Sequence, residues 1–142
     1  MLYILDTDHL SVLDRGGLNA QPLLRRLADV DPIEVVTTII SYEEQMRGWL
    51  SYGAKAQTIE QELEAYKQLK RQLTNYCTIA VLEFDNGAAQ EFQRLKQEYP
   101  RLGRMDLKIA AIALVHQATV LTRNRGDFGR ITGLSMDDWT EL

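Results

Sequence analysis

Apolar residues along this chain fall into short runs separated by longer stretches with helical spacing. Leu2 to Leu5 is a brief apolar run ending at an acid, and it reads as a buried strand. Leu10 and Leu13 fit a helix after it, stopped by Gly16-Gly17. Pro22 to Ala28 predicts a second helix with proline in its first turn. The β-branched run from Ile33 to Ile40 predicts a second buried strand, and Ser41 then opens a helix towards Tyr52. From 55 to 74, Ile59, Leu63, Tyr66, Leu69 and Leu73 recur at a helical period beneath a mixed-charge outer face. Cys77 to Leu82 reads as a third strand, and Asn86 to Tyr99 as a helix ending at Pro100. Asp106 to His116 is an alanine-rich helix, apolar nearly all round, and so is expected at the centre of the fold. Thr119 to Thr122 is a fourth strand, and Ile131 to Trp139 closes the fold. Strands separated by helices imply an α/β protein with parallel pairing and helices over both sheet faces.

The acids fall at informative places in this pattern. Asp6 ends the first strand, and Glu43 and Glu44 follow the second. Asp106 starts the buried helix, and Asp127 lies in the loop after the fourth strand. In an open parallel sheet, functional groups gather beyond the carboxyl ends of the strands. Asp6, Glu43 or Glu44, and Asp127 would then share one edge, with Asp106 pointing there from its helix start. Clustered carboxylates resist ionisation unless a cation sits between them. Hard divalent cations take oxygen ligands, and Mg²⁺ binds through a few carboxylates plus phosphate oxygens and water. Such a site activates water and neutralises charge on a phosphate.

Each acid also has a purely architectural use. Asp6 and Asp8 suit helix N-caps. Ser41-Tyr42-Glu43-Glu44 fits a capping box, in which Glu44 only reaches back to Ser41. Asp106 favours its helix dipole, and Asp127 suits a turn. Singly these uses suffice; together they require several independent acids to land at one end of the sheet.

Composition narrows the picture. A chain of 142 residues is about one domain. With 45% hydrophobic and 25% charged residues it reads as globular. A net charge of -4 excludes bulk positive charge as the means of holding nucleic acid, so any such contact needs a local basic patch. Arg101 and Arg104 flank Asp106, while Arg123, Arg125 and Arg130 flank Asp127, as a phosphate-binding rim requires. The lone Cys77 sits in an apolar stretch and is expected to be a buried thiol. His9 and His116 lack metal spacing, Asp137-Asp138 reads as a solvated turn, and Trp49 and Tyr52 suit core packing or a partner surface. There is no signal-like start, no apolar stretch long enough for a membrane span, and no phosphate-cradling glycine loop, so the expectation is cytoplasmic.

These residues carry a resemblance. The motifs Leu5-Asp6-Thr7-Asp8, Ser41-x-x-Glu44-x-x-x-Gly48, Gly103-x-x-Asp106-x-x-Ile109-Ala110-Ala111, Leu121-Thr122-Arg123-Asn124-x-x-Asp127-Phe128 and Gly133-Leu134-x-x-x-Asp138-Trp139 resemble, in order, the PIN-domain pattern of VapC-type toxins. The resemblance covers nearly the whole chain, residues 1–142 as one nuclease domain. It implies a three-layer α/β/α sandwich around a mainly parallel sheet, and RNA cleavage that depends on one or two Mg²⁺ or Mn²⁺ ions. Carried onto this chain, it implies catalytic and metal-binding roles for Asp6, Glu44, Asp106 and Asp127. Gly48, four residues after Glu44, selects Glu44 over Glu43. Thr7, Thr122 and Asn124, with Arg101, Arg104, Arg123 and Arg125, are the expected substrate contacts. The expected partners are RNA, a cognate antitoxin and a second copy of the chain as a homodimer. Asp8 stands where asparagine is common in the family, Gln45 where an apolar residue is usual, and Asn124 where some branches have an acid.

Two other readings fit parts of the sequence. Asp6-Thr7-Asp8 after an apolar strand matches the D-x-D of haloacid dehalogenase-like phosphotransferases, but Leu10 stands where Thr or Val is expected and no suitable lysine follows a late strand. A non-catalytic PIN-fold binding module is the other, and the intact acid set argues against it.

Overall fold

The computed structural model describes residues 1–141. Five strands form one sheet: β1 Tyr3–Leu5, β2 Val35–Thr38, β3 Ala80–Leu82, β4 Thr119–Leu121 and β5 Ser135–Asp137. Their order is β3-β2-β1-β4-β5, and every pairing is parallel. Seven helices connect or follow them: α1 Thr7–Arg15, α2 Gln21–Ala28, α3 Ile39–Ala54, α4 Ile59–Tyr76, α5 Asn86–Glu98, α6 Arg104–His116 and α7 Arg125–Phe128. The chain fills the sheet from β1 outward to β3, then returns to place β4 on the other side of β1. The β1/β4 boundary is therefore the switch point of the sheet, where a crevice opens beyond the strand ends.

Side chains alternate across the strands, as a pleated sheet requires. Ile4, Val36 and Val120 enter a core with Phe92 and Leu95 of α5 and Ile109 to Ala113 of α6. Leu5 and Leu121 face the opposite way, against Val12 of α1, Leu23 of α2 and Trp139. Helices thus cover both faces. The alanines of α6 are completely buried, and their small size lets that helix lie close to the sheet. Gln117 ends α6 in the left-handed region, at φ 53° and ψ 40°, and turns the chain into β4.

Several expectations shift here. The strand expected from Ile33 to Ile40 is β2 alone, because Thr38 caps α3: its Oγ1 accepts the Ser41 N–H at 3.2 Å. Ser41 is therefore inside the helix, and the capping box expected to occupy Glu44 does not form. The strand expected from Cys77 begins only at Ala80, because α4 runs on to Tyr76. Cys77 is the residue that ends α4 and is exposed, not buried. Asp127 lies within α7 rather than in an open loop.

Candidate active site

Asp6 leaves β1 at the switch point, and its N–H donates to the Leu121 carbonyl at 3.0 Å, adding one rung to the β1–β4 pairing. Its side chain is 6% exposed. Oδ1 accepts the Thr7 N–H at 2.8 Å, which caps α1, and Oδ2 accepts the Thr122 hydroxyl at 2.8 Å from the end of β4. Thr7 in turn donates its hydroxyl to Glu44 Oε1 at 2.9 Å. Glu44 thereby reaches the β1 edge from α3, whereas Glu43 pairs with Arg47 one helical turn along at 2.5 Å. That difference separates the two glutamates. Gly48 has open space where a Cβ would stand, so packing does not require glycine there.

Asp106 occupies the first turn of α6, and Asp127 the short helix α7. Asn124 joins them: its amide Nδ2 donates to Asp106 Oδ2 at 3.1 Å and to Asp127 Oδ2 at 3.3 Å. Asn124 is itself fixed by its N–H to Thr122 Oγ1 at 3.0 Å. One threonine thus connects Asp6 to the residue holding the other two acids. The four acids expected from the sequence come together, bound through Thr7, Thr122 and Asn124.

Their electrostatics fit mutual repulsion in a partly dry place. Burial pushes Asp6 up to about 7, with Asp8 and Asp106 adding to it against the hydrogen bonds from Thr122 and Thr7. Burial also pushes Asp106 up to about 6, helped by Glu44, Asp127 and Asp8. Among the described residues, lysine and arginine nitrogens within 4.0 Å of a carboxylate pair with other acids, none with Asp6, Glu44, Asp106 or Asp127. A group of carboxylates without a cationic side chain is the donor set a hard divalent cation fits. Among the described residues, no three His, Cys, Asp or Glu side chains stand so placed that they could hold a metal ion by themselves. Water and substrate oxygens would complete the coordination, as Mg²⁺ prefers.

Asp8 adds a fifth carboxylate to this edge, with Oδ2 3.3 Å from the Thr122 hydroxyl, but its shorter hydrogen bonds run elsewhere. Oδ1 accepts from His9 Nδ1 at 2.7 Å, and Oδ2 accepts the Arg123 N–H at 2.9 Å. Burial acts to raise its pKa, yet the hydrogen bonds from His9 and Arg123 hold it below the usual value. His9 is buried, and its Nε2 accepts the Trp139 N–H at 3.1 Å, leaving the Nδ1 proton for Asp8. Asp138, expected in a solvated turn, is 6% exposed and accepts from Thr140. Asp137 ends β5 and accepts from the Trp139 indole at 3.1 Å. The tie from Asp8 through His9 to Trp139 leaves no signal in the sequence, since His9 and Trp139 lie 130 residues apart.

The arginines expected as a rim divide. Arg101, Arg104, Arg123 and Arg125 are all exposed. Arg104 lies over the Phe92 ring at 5.6 Å, and Arg125 pairs with Glu141 at 3.1 Å. Arg123 anchors its backbone on Asp8 and leaves its side chain unpaired among the described residues. No helix among the described residues is long and apolar enough to cross a membrane.

Comparison with known proteins finds relatives over nearly the whole chain. The family model described as PIN domain matches residues 3–134. The chain is 28% identical to Ribonuclease VapC1 of Haemophilus influenzae over 142 residues, covering 99% of this chain and 100% of that one. Among solved structures it is similar to VapBC-1 from nontypeable Haemophilus influenzae, at 26% identity and TM-score 0.69, covering 99% and 100% of the two chains. It is also similar to a toxin-antitoxin complex from Klebsiella pneumoniae, at 26% identity and TM-score 0.70, covering 99% of each chain.

Proposed function

Because the chain belongs to the PIN-domain family, we propose that it is a metal-dependent endoribonuclease and the toxin of a toxin–antitoxin pair. The observation that carries this reading is the set of four acids at the β1/β4 switch point with no cationic side chain among them. PIN-domain ribonucleases in general depend on divalent metal, and here one or two Mg²⁺ or Mn²⁺ ions would be held by Asp6, Glu44, Asp106 and Asp127. When bound, the metal supplies Lewis-acid neutralisation of phosphate charge and makes water a better nucleophile.

The remaining chemistry belongs to the chain. Thr122 holds Asp6, Thr7 holds Glu44, and Asn124 holds Asp106 and Asp127, so the acids are oriented before substrate arrives. Among the described residues, Glu44 Oε2, Asp106 Oδ1 and Asp127 Oδ1 accept no protein hydrogen bond and stay open for ligand. Hydrolysis adds water at phosphorus and breaks one P–O ester bond, with the leaving oxygen taking up a proton. The PIN-domain match over residues 3–134 disfavours the phosphotransferase reading, where Asp6 would attack phosphorus.

A protein partner is supported on a second face. α1, α3 and α4 enclose a cleft of about 600 Å³ whose lining includes Trp49, Tyr52, Arg71 and Gln72. Tyr52, edge-on to Trp49 with ring centroids 5.5 Å apart and partly exposed, gives this cleft an aromatic wall that suits an apolar anchor from a docked chain. The VapBC relatives are toxin–antitoxin assemblies, which makes an antitoxin the proposed occupant. The proposed oligomer is a homodimer. Purified protein incubated with single-stranded RNA tests the activity: internal cleavage with Mg²⁺ or Mn²⁺ supports it, and cleavage undiminished by EDTA overturns it.

A further inference from the structure

α1 ends at Arg15, and the chain then reverses through Gly16 and Gly17, at φ 63° and 74°, into a 3₁₀ turn at Leu18–Ala20. The segment leaving β4 passes close by through Thr122 and Arg123. Between them lies a cleft of about 460 Å³, with Val12, Arg15, Leu18, Asn19, Pro22 and Arg123 in its lining. It opens beside the acids rather than over them. Thr122 donates to Asp6, and the next residue, Arg123, donates its backbone N–H to Asp8 while its side chain lines the cleft.

Among the described residues, the arginines of this cleft lack carboxylate partners, as do Arg25, Arg101, Arg104 and Arg130 elsewhere, but here two of them line one concavity. Arg26, Arg47, Arg71, Arg94 and Arg125 each have a carboxylate within 4.0 Å. Arg15 and Arg123 have none among the described residues. Arg15 makes one hydrogen bond, from Nε to the Ser11 carbonyl at 3.3 Å, which leaves its terminal nitrogens available. No aspartate or glutamate lines the cleft. Two uncompensated guanidinium groups share one concavity in a chain of net charge -4. Their planar donor forks match the oxygens of a phosphate. The other walls are apolar: Leu18 is 80% exposed at the rim, beside Pro22. A ligand with an anionic group and a flat or apolar ring satisfies both parts, and its volume suits a small ligand site.

We infer that this cleft is an RNA subsite for a nucleotide neighbouring the cleaved bond, with Arg15 and Arg123 on its phosphate and Leu18 and Pro22 against its sugar or base. The inference rests on the ribonuclease reading. It adds Arg15, at the far end of α1, to the arginines that the sequence pattern placed around the late acids. Arginine–phosphate contacts position a strand without reading it, so the Asn19 amide is the group here able to discriminate base edges.

The test measures binding of a labelled single-stranded RNA oligonucleotide across a KCl series, on an Asp106→Asn background that prevents cleavage. Arg15→Ala and Arg123→Ala each weaken binding and flatten the log–log salt slope by roughly 0.7, and the double variant by about twice that. Arg123→Ala keeps the backbone N–H that Asp8 uses, and a melting temperature near that of the parent verifies the fold. Lysine at both positions restores the slope. Lys70→Ala, an exposed charge on α4, leaves it unchanged. Two results overturn the subsite while leaving the ribonuclease reading intact: an unchanged slope in the double variant of a protein that still binds RNA, or an equal loss in Lys70→Ala. A parent protein that neither binds nor cleaves RNA overturns both.

Discussion

Thr122 and Asp6 lie 116 residues apart, and the hydroxyl of one donates to the carboxylate of the other at 2.8 Å. The same Thr122 oxygen accepts the Asn124 N–H, and the Asn124 amide holds Asp106 and Asp127. Removing one hydroxyl therefore disturbs three acids. Thr122→Val leaves a buried carboxylate oxygen and an amide short of a partner, at a cost of about 1–3 kcal/mol. RNA cleavage falls at least tenfold in that variant, whereas Thr122→Ser retains most of it. Steady-state cleavage assays alongside denaturant unfolding separate the two effects.

Asp6 links stability to pH. An unfolded aspartate titrates near 3.8, while burial and its acidic neighbours raise the folded group to about 7. Below the unfolded value both states hold the proton, and Asp6 adds no pH dependence. As pH rises from about 4 to 7 the unfolded chain releases a proton that the folded one retains, so the metal-free fold loses stability. Asp6→Asn removes this penalty and keeps one acceptor oxygen of the two that Thr7 and Thr122 use. Thermal melts in chelator should show the variant close to the parent at pH 4 and several degrees above it at pH 8. A divalent cation added at pH 8 stabilises the parent and not the variant.

The two adjacent glutamates of α3 have different environments. Glu44 accepts from Thr7, and Glu43 pairs with the exposed Arg47. Glu44→Gln is expected to lose most cleavage activity, and Glu43→Gln to remain within about twofold of the parent, because an exposed helical ion pair contributes little. Parallel rate measurements on the two variants check this, and the reverse ranking contradicts the placement of α3.

How much of this was legible in the sequence differs by feature. The parallel sheet, the acids at strand ends and the buried α6 followed from local periodicity, because each is a property of a few consecutive residues. Position along α3 did not. Ile39 and Ile40 continue a β-branched run, yet Thr38 caps the helix, and tertiary packing overrides their strand preference. Cys77 differs for a related reason: α4 runs to Tyr76 and ends on Cys77, so the strand that the apolar stretch suggests begins only at Ala80. The Asp8–His9–Trp139 tie was invisible because a hydrogen bond between distant segments leaves no periodic signal. The family pattern selected Glu44 through its spacing to Gly48, but the physical reason is the Thr7 hydroxyl.

That tie yields its own expectation. Asp8 receives donors from His9 and from the Arg123 backbone, and His9 receives the Trp139 N–H. Asp8→Ala leaves the buried His9 Nδ1–H unpaired and frees the segment after β4. A loss of about 1–3 kcal/mol follows. Hydrogen exchange should rise at Arg123 and Trp139 and stay unchanged in α5. Asp8→Asn, which retains an acceptor oxygen, should lose less.

Asp6, Glu44, Asp106 and Asp127 are proposed to form a divalent-metal centre. Calorimetric titration of Mn²⁺ into purified protein at pH 8, where Asp6 and Asp106 are ionised, tests it without depending on any RNA. Saturable binding by the parent and by Glu43→Gln, weakened at least tenfold in Asp106→Asn and Asp6→Asn, is the expected result. Equal Mn²⁺ affinity in all four proteins, or no binding by the parent, would contradict it.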